Sequence, residues 1–244
     1  MINNKSLQLD RAKKSMFKSD NSTPHSASIY DEQVRKTIPY YDTFHEETIN
    51  IVKAMNICPK TWLDTGCGTG TLVQKAITEF PNTRFVLVDP SPQMLDAAKR
   101  KLTSHSGSNV KFLKAAPTQN LHEQKEEFDV ITAIQSHHYL TPAGRIKATA
   151  VCFELLAPRG VYVTFENVRP FTPAGIAIGK EYWKCFQLAT GRDVRTVEEH
   201  LKRFDVEYHP ITIEEHLSLL RKTGFSTVEM LWYSYMQAGF YCIK

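Results

Sequence analysis

The sequence predicts a doubly wound α/β fold, and three stretches carry that prediction. Trp62-Leu63-Asp64-Thr65-Gly66-Cys67-Gly68-Thr69-Gly70 is an apolar entry into a glycine-spaced turn, followed at once by the helical spacing of Leu72, Val73, Ala76, Ile77 and Phe80. Phe85-Val86-Leu87-Val88 repeats the unit: Asp89-Pro90 ends the strand, and Ser91 caps a helix whose apolar side is Met94, Leu95, Ala98 and Leu102. Phe128 to Ile134 is a further apolar run, and it opens into Gln135-Ser136-His137-His138-Tyr139-Leu140. Strands alternating with helices in this way build a parallel sheet with helices on both faces.

The glycine turn is the chemically informative part. Glycines at 66 and 68 admit backbone conformations closed to other residues and let a ligand lie against bare main chain. The spacing departs from the dinucleotide pattern GxGxxG, because the third glycine comes one residue too early. With no GKS or GKT following, a phosphate-cradling P-loop is excluded. Asp89 lies 19 residues beyond Gly70, at the end of the second strand. A carboxylate there can accept both hydroxyls of a ribose; its other possible role is a helix-entry carboxylate favoured by the dipole.

Leu63 through Gly70 resembles the first motif of the class I S-adenosylmethionine-dependent methyltransferases. The resemblance implies a Rossmann-like, seven-stranded, mostly parallel sheet with one antiparallel strand. It also implies S-adenosyl-L-methionine as cofactor, with Gly66, Cys67 and Gly68 passing under its methionine part. Asp64 is then oriented toward the amino end or fixes the loop, and Asp89 holds the ribose. Pro90, Met94 and Ile134 complete the implied lining. Similar enzymes close a tyrosine-bearing segment over the cofactor, which selects Tyr41 from the stretch Tyr30 to Asp42, ahead of Tyr40 or Arg35. Many members carry an aspartate after the third strand for the adenine amino group; this chain has Ala115-Ala116-Pro117 instead. Main-chain groups of Ala115 or Ala116, or the side chain of Gln119, must then substitute.

Catalytic candidates follow from topology, since ligands bind beyond the carboxyl ends of strands in doubly wound sheets. His137 is placed to hold or deprotonate an acceptor near neutral pH. Glu166, at the end of the fifth strand Val161 to Glu166, can meet a cationic or hydroxyl-bearing substrate. Each has a plainer alternative as a loop-bracing group. Adjacent histidines without a third ligand at useful spacing give no metal site.

The remaining chain fills in around these. Residues 1–28 read as a polar tail, and residues 29–244 as the methyltransferase domain. A helix is expected from about Phe44 to Ile57, a short strand at Val110 to Leu113, and the turn Pro158-Arg159-Gly160 before the fifth strand. Between Arg169 and Pro210 lies a helical insertion too long for a plain crossover, with Tyr182, Trp183 and Phe186 placed to cap the site. Thr212 with Glu215 forms a capping box, Gly224 ends that helix, and two C-terminal strands close the sheet.

Composition bounds the function. The chain has 244 residues, 42% hydrophobic and 23% charged, enough for one sizeable core. It has no apolar run of membrane-spanning length and no signal-peptide-like start. Five scattered cysteines without a CxxC read as free thiols of a reducing cytoplasm. The net charge of +4 and the balanced charges of the insertion give no nucleic-acid stripe. The expected function is methyl transfer to a small-molecule acceptor. The rivals are a carboxy-S-adenosylmethionine synthase-like enzyme, with Arg195 or Arg203 facing the carboxylate, a tRNA methyltransferase, and a catalytically silent partner-binding protein.

Overall fold

A computed structural model describes residues 22–103, 109–123 and 127–244. Residues 1–21 of the expected tail lie outside the described residues. Residues 22–28, expected as tail, instead pack on the domain: His25 is buried, with its Nε2 2.8 Å from Thr37 Oγ1.

Seven strands form one sheet in the order β3-β2-β1-β4-β5-β7-β6. They are β1 (Thr61–Thr65), β2 (Arg84–Val88), β3 (Val110–Phe112), β4 (Phe128–Ile134), β5 (Leu156–Asn167), β6 (Thr227–Ser234) and β7 (Gln237–Ile243). Strand β7 runs antiparallel to both its neighbours, and the other pairings are parallel. Leu63 of β1 pairs with Val86 of β2 on one side and Ile131 of β4 on the other. The Gly66 loop, Asp89 and Gln135 therefore leave the sheet at one edge. Strand order reverses between β1 and β4, the switch point at which such sheets open a crevice.

The helices are α1 (Tyr30–Thr37), α2 (Tyr41–Ala54), α3 (Thr71–Glu79), α4 (Pro92–Leu102), α5 (Pro142–Leu155), α6 (Pro173–Ala189), α7 (Val194–Lys202) and α8 (Ile213–Thr223). Successive strand residues alternate between two cores, as a pleated strand requires. Trp62, Phe85, Val130 and Phe165 pack with Phe44 and Trp183 in one core. Leu63, Val86, Ile131 and Phe240 pack with Leu155 and Leu220 in the other. Each fully buried side chain of this size contributes about 1.5–3 kcal/mol.

Three elements differ from expectation for local reasons. Helix α2 starts and ends early, because Tyr40 and Asn56 both adopt positive φ, 57° and 53°. The turn Pro158-Arg159-Gly160 survives as a bulge inside a longer β5: Phe128 pairs with Leu156 but Val130 with Val161. The insertion's aromatics divide their work. Trp183 is fully buried and donates its Nε1 hydrogen to Thr37 O at 2.6 Å, fastening α6 to α1. Tyr182 lies outside, stacked on Tyr235 with ring centroids 4.0 Å apart.

Candidate active site

The glycine loop is shaped by what lies across from it. Gly66 has φ +66°, and a Cβ there would sit 2.5 Å from Ser136 Cβ. Gly68, at φ +52°, leaves open space up to the ring of Tyr30. The loop is tied to β2 by Cys67 N donating to Val88 O at 3.0 Å and Gly68 N donating to Asp89 Oδ2 at 2.9 Å. Asp89 Oδ1 accepts from Ser91 N at 2.8 Å, so one carboxylate joins the loop to the start of α4. Burial raises the Asp89 pKa, against the pull of these two amides.

A cavity of about 750 Å³, part of it open to solvent, lies above this loop. Of the residues expected around a cofactor, Gly66, Gly68, Asp89, Pro90, Met94 and Ile134 line it. The others stand behind. Asp64 is 2% exposed and accepts from Thr132 Oγ1 at 2.7 Å; burial, with the Asp89 charge adding, pushes its pKa up to about 7 despite that bond. The Cys67 thiol is buried and its pKa raised by that burial. Ala115 and Ala116 do not reach the lining: Ala116 N is spent on Asp89 O at 3.2 Å, and Pro117 forms that wall. Gln119 Oε1 is buried without a hydrogen-bond partner among the described residues.

Tyr41 is also displaced from its expected place. It is buried edge-on to Tyr30, and Tyr30 supplies the cavity wall. Helix α1 is held there by a polar latch. Asp31 Oδ2 meets Lys101 Nζ at 2.6 Å, and Asp31 Oδ1 accepts from Thr69 Oγ1 at 2.6 Å, next to the glycine loop. Burial works to raise the Asp31 pKa, but Lys101 and Thr69 bring it below its ordinary value. Arg35 pairs with Asp42 on the surface and does not line the cavity.

His137 and Glu166, expected beside the acceptor, lie in a separate buried network. Glu166 Oε1 accepts from His137 N at 3.1 Å and Thr164 Oγ1 at 2.9 Å; Oε2 accepts from His138 N at 2.8 Å and stands 2.7 Å from His138 Nδ1. Burial alone would raise the Glu166 pKa, yet the His138 hydrogen bond and the neighbouring histidines bring it to about 2. The His137 ring is 3.2 Å from Thr118 Oγ1 and 3.3 Å from the Tyr162 hydroxyl. Burial lowers its pKa to about 4, Glu166 opposing. The reason for the displacement is that the short turn His137–Tyr139 is pinned by Glu166 from beneath. That pinning leaves Ser136 and Tyr139, and not His137, on the cavity wall.

Tyr30, Gln135, Ser136, Tyr139, Pro117 and Thr23 are lining residues that sequence reasoning did not select. Five of them sit in stretches it did mark. Which side chain turns inward depended on the positive φ of Gln135, 54°, which has no composition signature.

Comparison with known proteins agrees with this geometry. Residues 63–162 match the family model Methyltransf_12, a methyltransferase domain. The chain is 25% identical to a carboxy-S-adenosyl-L-methionine synthase from Trichodesmium erythraeum over 206 residues, covering 83% of this chain and 80% of that one. The plantazolicin methyltransferase BpumL, solved with a triazolic desmethylPZN analog and SAH, superposes with a TM-score of 0.67 at 14% identity, covering 91% and 92%. The pyocyanin biosynthetic protein PhzM gives a TM-score of 0.58 at 18% identity over 81% of this chain, which spans 54% of PhzM. The chain has the fold of the class I S-adenosylmethionine-dependent methyltransferases.

Proposed function

We propose that this protein is an S-adenosylmethionine-dependent methyltransferase acting on a small-molecule acceptor. The observation that carries the reading is the cavity at the switch point, floored by Gly66 and Gly68 and bounded by Asp89. Its residues suit the cofactor. Each Asp89 oxygen holds one backbone amide, and a carboxylate has about four acceptor sites, so capacity remains for ribose hydroxyls. Ser136 Oγ, of a residue on the cavity wall, is a buried polar atom without a partner among the described residues, fit for the cofactor's polar tail; Gln119, whose Oε1 is likewise unpartnered, does not line the cavity. The main chain at Ala115 and Ala116, Cys67 behind the loop, and Tyr41 behind Tyr30 support the same lining at one remove.

When bound, S-adenosylmethionine supplies a methyl group activated by its positively charged sulfur. What the chain adds is alignment and dryness. The Tyr30 and Tyr139 rings wall the cavity, where aromatic faces favour a cation and keep water out. Most of the rate gain in such a displacement comes from holding the reactants in line. His137 and Glu166 act as positioning groups that set the Ser136–Tyr139 wall. Free thiols at all five cysteines suit a cytoplasmic protein, and among the described residues no helix is long and apolar enough to cross a membrane.

Calorimetric titration with S-adenosylmethionine and S-adenosylhomocysteine tests the reading. One-to-one binding of both is expected; folded protein that binds neither overturns it.

Carboxy-S-adenosyl-L-methionine synthases recur among the curated relatives, which favours a second reading, synthesis of the carboxylated cofactor. That product needs a cation facing its carboxylate, and the described residues lining the cavity include neither Arg nor Lys. Arg195 is 89% exposed and paired with Glu199; Arg203 stands behind Tyr139, paired with Glu207. Mass spectrometry of any cofactor that copurifies separates the two readings.

A further inference from the structure

Arg145 is a cation in a place that disfavours one. It is 3% exposed. It sits in the opening turns of α5, just after the N-cap Thr141 and Pro142, and a helix N-terminus repels positive charge. Burial lowers its pKa from the ordinary value, with the charges of Glu166 and Glu215 opposing through space. A charge retained under those conditions needs partners.

Its partners are main-chain carbonyls on two different segments. Helical side chains lean back toward the N-terminus of their helix, so Arg145 reaches over the turn that precedes α5. Its Nε donates to His137 O at 3.3 Å, and its Nη2 donates to His209 O at the end of the insertion. His209 N in turn donates to His138 O at 2.7 Å. The turn after β4 and the end of the insertion are thus joined twice, once directly and once through the guanidinium. The neighbouring Tyr208 ring is carried with them: it stands edge-on to His138 at 5.8 Å and to Tyr139 at 6.2 Å between centroids. Glu166 meanwhile holds the N–H groups of His137 and His138, so two buried opposite charges grip the two polar sides of one turn.

We infer that Arg145 is a positioning residue for the cofactor wall: by holding His137 O and His209 O together it seats the Tyr208 ring behind Tyr139 and so sets Tyr139 against the cavity. Tyr139 lines that cavity and Arg145 does not, so Arg145 acts through the ring and not on the ligand. The inference rests on the methyltransferase reading above for the ligand that lies there. A methionine at this position keeps an unbranched apolar side chain and makes neither bond. It leaves the turn and the insertion free to part.

The test is a double-mutant cycle read by calorimetric titration with S-adenosylhomocysteine, at a temperature where circular dichroism shows every variant folded. Arg145→Met should weaken binding roughly tenfold, within the range of coupling inside one contact network. The loss should be at least three times larger in the wild-type background than in Tyr139→Leu, where the ring to be positioned is already gone. A merely structural loss would cost the same factor in both backgrounds, and any smaller difference overturns the assignment. Should Arg145→Met fail to fold, Arg145→Lys replaces it under the same criterion, since one ammonium lacks the fork that spans both carbonyls. Amide hydrogen exchange of the ligand-free variant supplies a readout that needs no cofactor. Residues 136–140 and 205–210 should exchange faster together, while β2 and β7 stay as protected as in the wild type. Wild-type protein that binds no S-adenosylhomocysteine sinks the methyltransferase reading and leaves the exchange comparison to decide Arg145. Unchanged exchange in either segment overturns its positioning role.

Discussion

Asp89 carries two roles that the sequence offered as alternatives. Its oxygens hold Gly68 N and Ser91 N, and the same carboxylate borders the cavity. Were it only a ribose ligand, its removal would leave the ligand-free protein as stable as before. Asp89→Ala should instead lower the stability of the ligand-free protein by roughly 1–3 kcal/mol, the cost of unpaired buried amides. It should also cost cofactor affinity tenfold or more, from lost charge-assisted bonds. Urea denaturation beside calorimetry reads both, and an unchanged affinity would leave Asp89 a brace alone. Asp64 is the opposite kind of carboxylate. Its folded pKa of about 7 lies above the ordinary 3.8, so between pH 4 and 7 the native state holds a proton that the unfolded chain has released. Stability from this group therefore falls as pH rises through that window, by at most ~1.4 kcal/mol per unit. Asp64→Asn, neutral at every pH, should lack that slope when urea midpoints are compared at pH 5 and 7. Parallel slopes would mean Asp64 is ionised throughout. At this scale the sequence disclosed the glycines and the aspartates, because those residue types are tied to backbone need and to charge. It did not disclose Tyr30 over Tyr41, since both are aromatics of one segment and only the helix phase around Tyr40 decides which faces the ligand.

The element that most needs explaining is the turn after β4. Periodicity marks β4 as a strand, and the polar residues after it mark a site, but nothing local says which of Ser136, His137, His138 and Tyr139 turns inward. The deciding contact comes from Glu166, on the neighbouring strand β5 and nearly thirty residues away in sequence. Glu166→Gln places an amide where four donors converge, and breaking the buried His138 pairing should cost roughly 3 kcal/mol. The sign of its pH effect is the reverse of that of Asp64. With the folded pKa near 2 and the ordinary value 4.5, its contribution is complete above about pH 4.5 and is lost as pH falls toward 2. The variant should thus be weaker at pH 7 and show a flatter loss between pH 5 and 2, as read by urea midpoints. A variant as stable as wild type at pH 7 would remove Glu166 from its positioning role. The insertion was legible as an element and not as a surface. Its helices and Trp183 were visible in the sequence, but that Trp183 bonds to Thr37 O, so that α6 carries α1 and with it Tyr30, depends on a contact spanning 146 residues.

For the whole molecule, the consequence is that the cavity walls come from segments that the sheet alone does not hold together. The floor and one side rise from β1, β2 and β4, whereas Tyr30 and Thr23 belong to the N-terminal segment, fastened by Asp31 to Lys101 and by Trp183 to α1. A ligand lying between them links these parts to the sheet. Cofactor at a hundred times its dissociation constant should stabilise the fold by about 2.7 kcal/mol, since only the native state binds it. For a chain of this size that corresponds to a rise of roughly 5–10 °C in melting temperature. Protection from hydrogen exchange should then rise most in residues 30–37, 66–70 and 135–140, the parts that meet across the cavity, and less in β6 and β7 at the far end of the sheet. A uniform gain across all seven strands would show that the ligand reports only global stability, and that the N-terminal segment is not part of the binding wall.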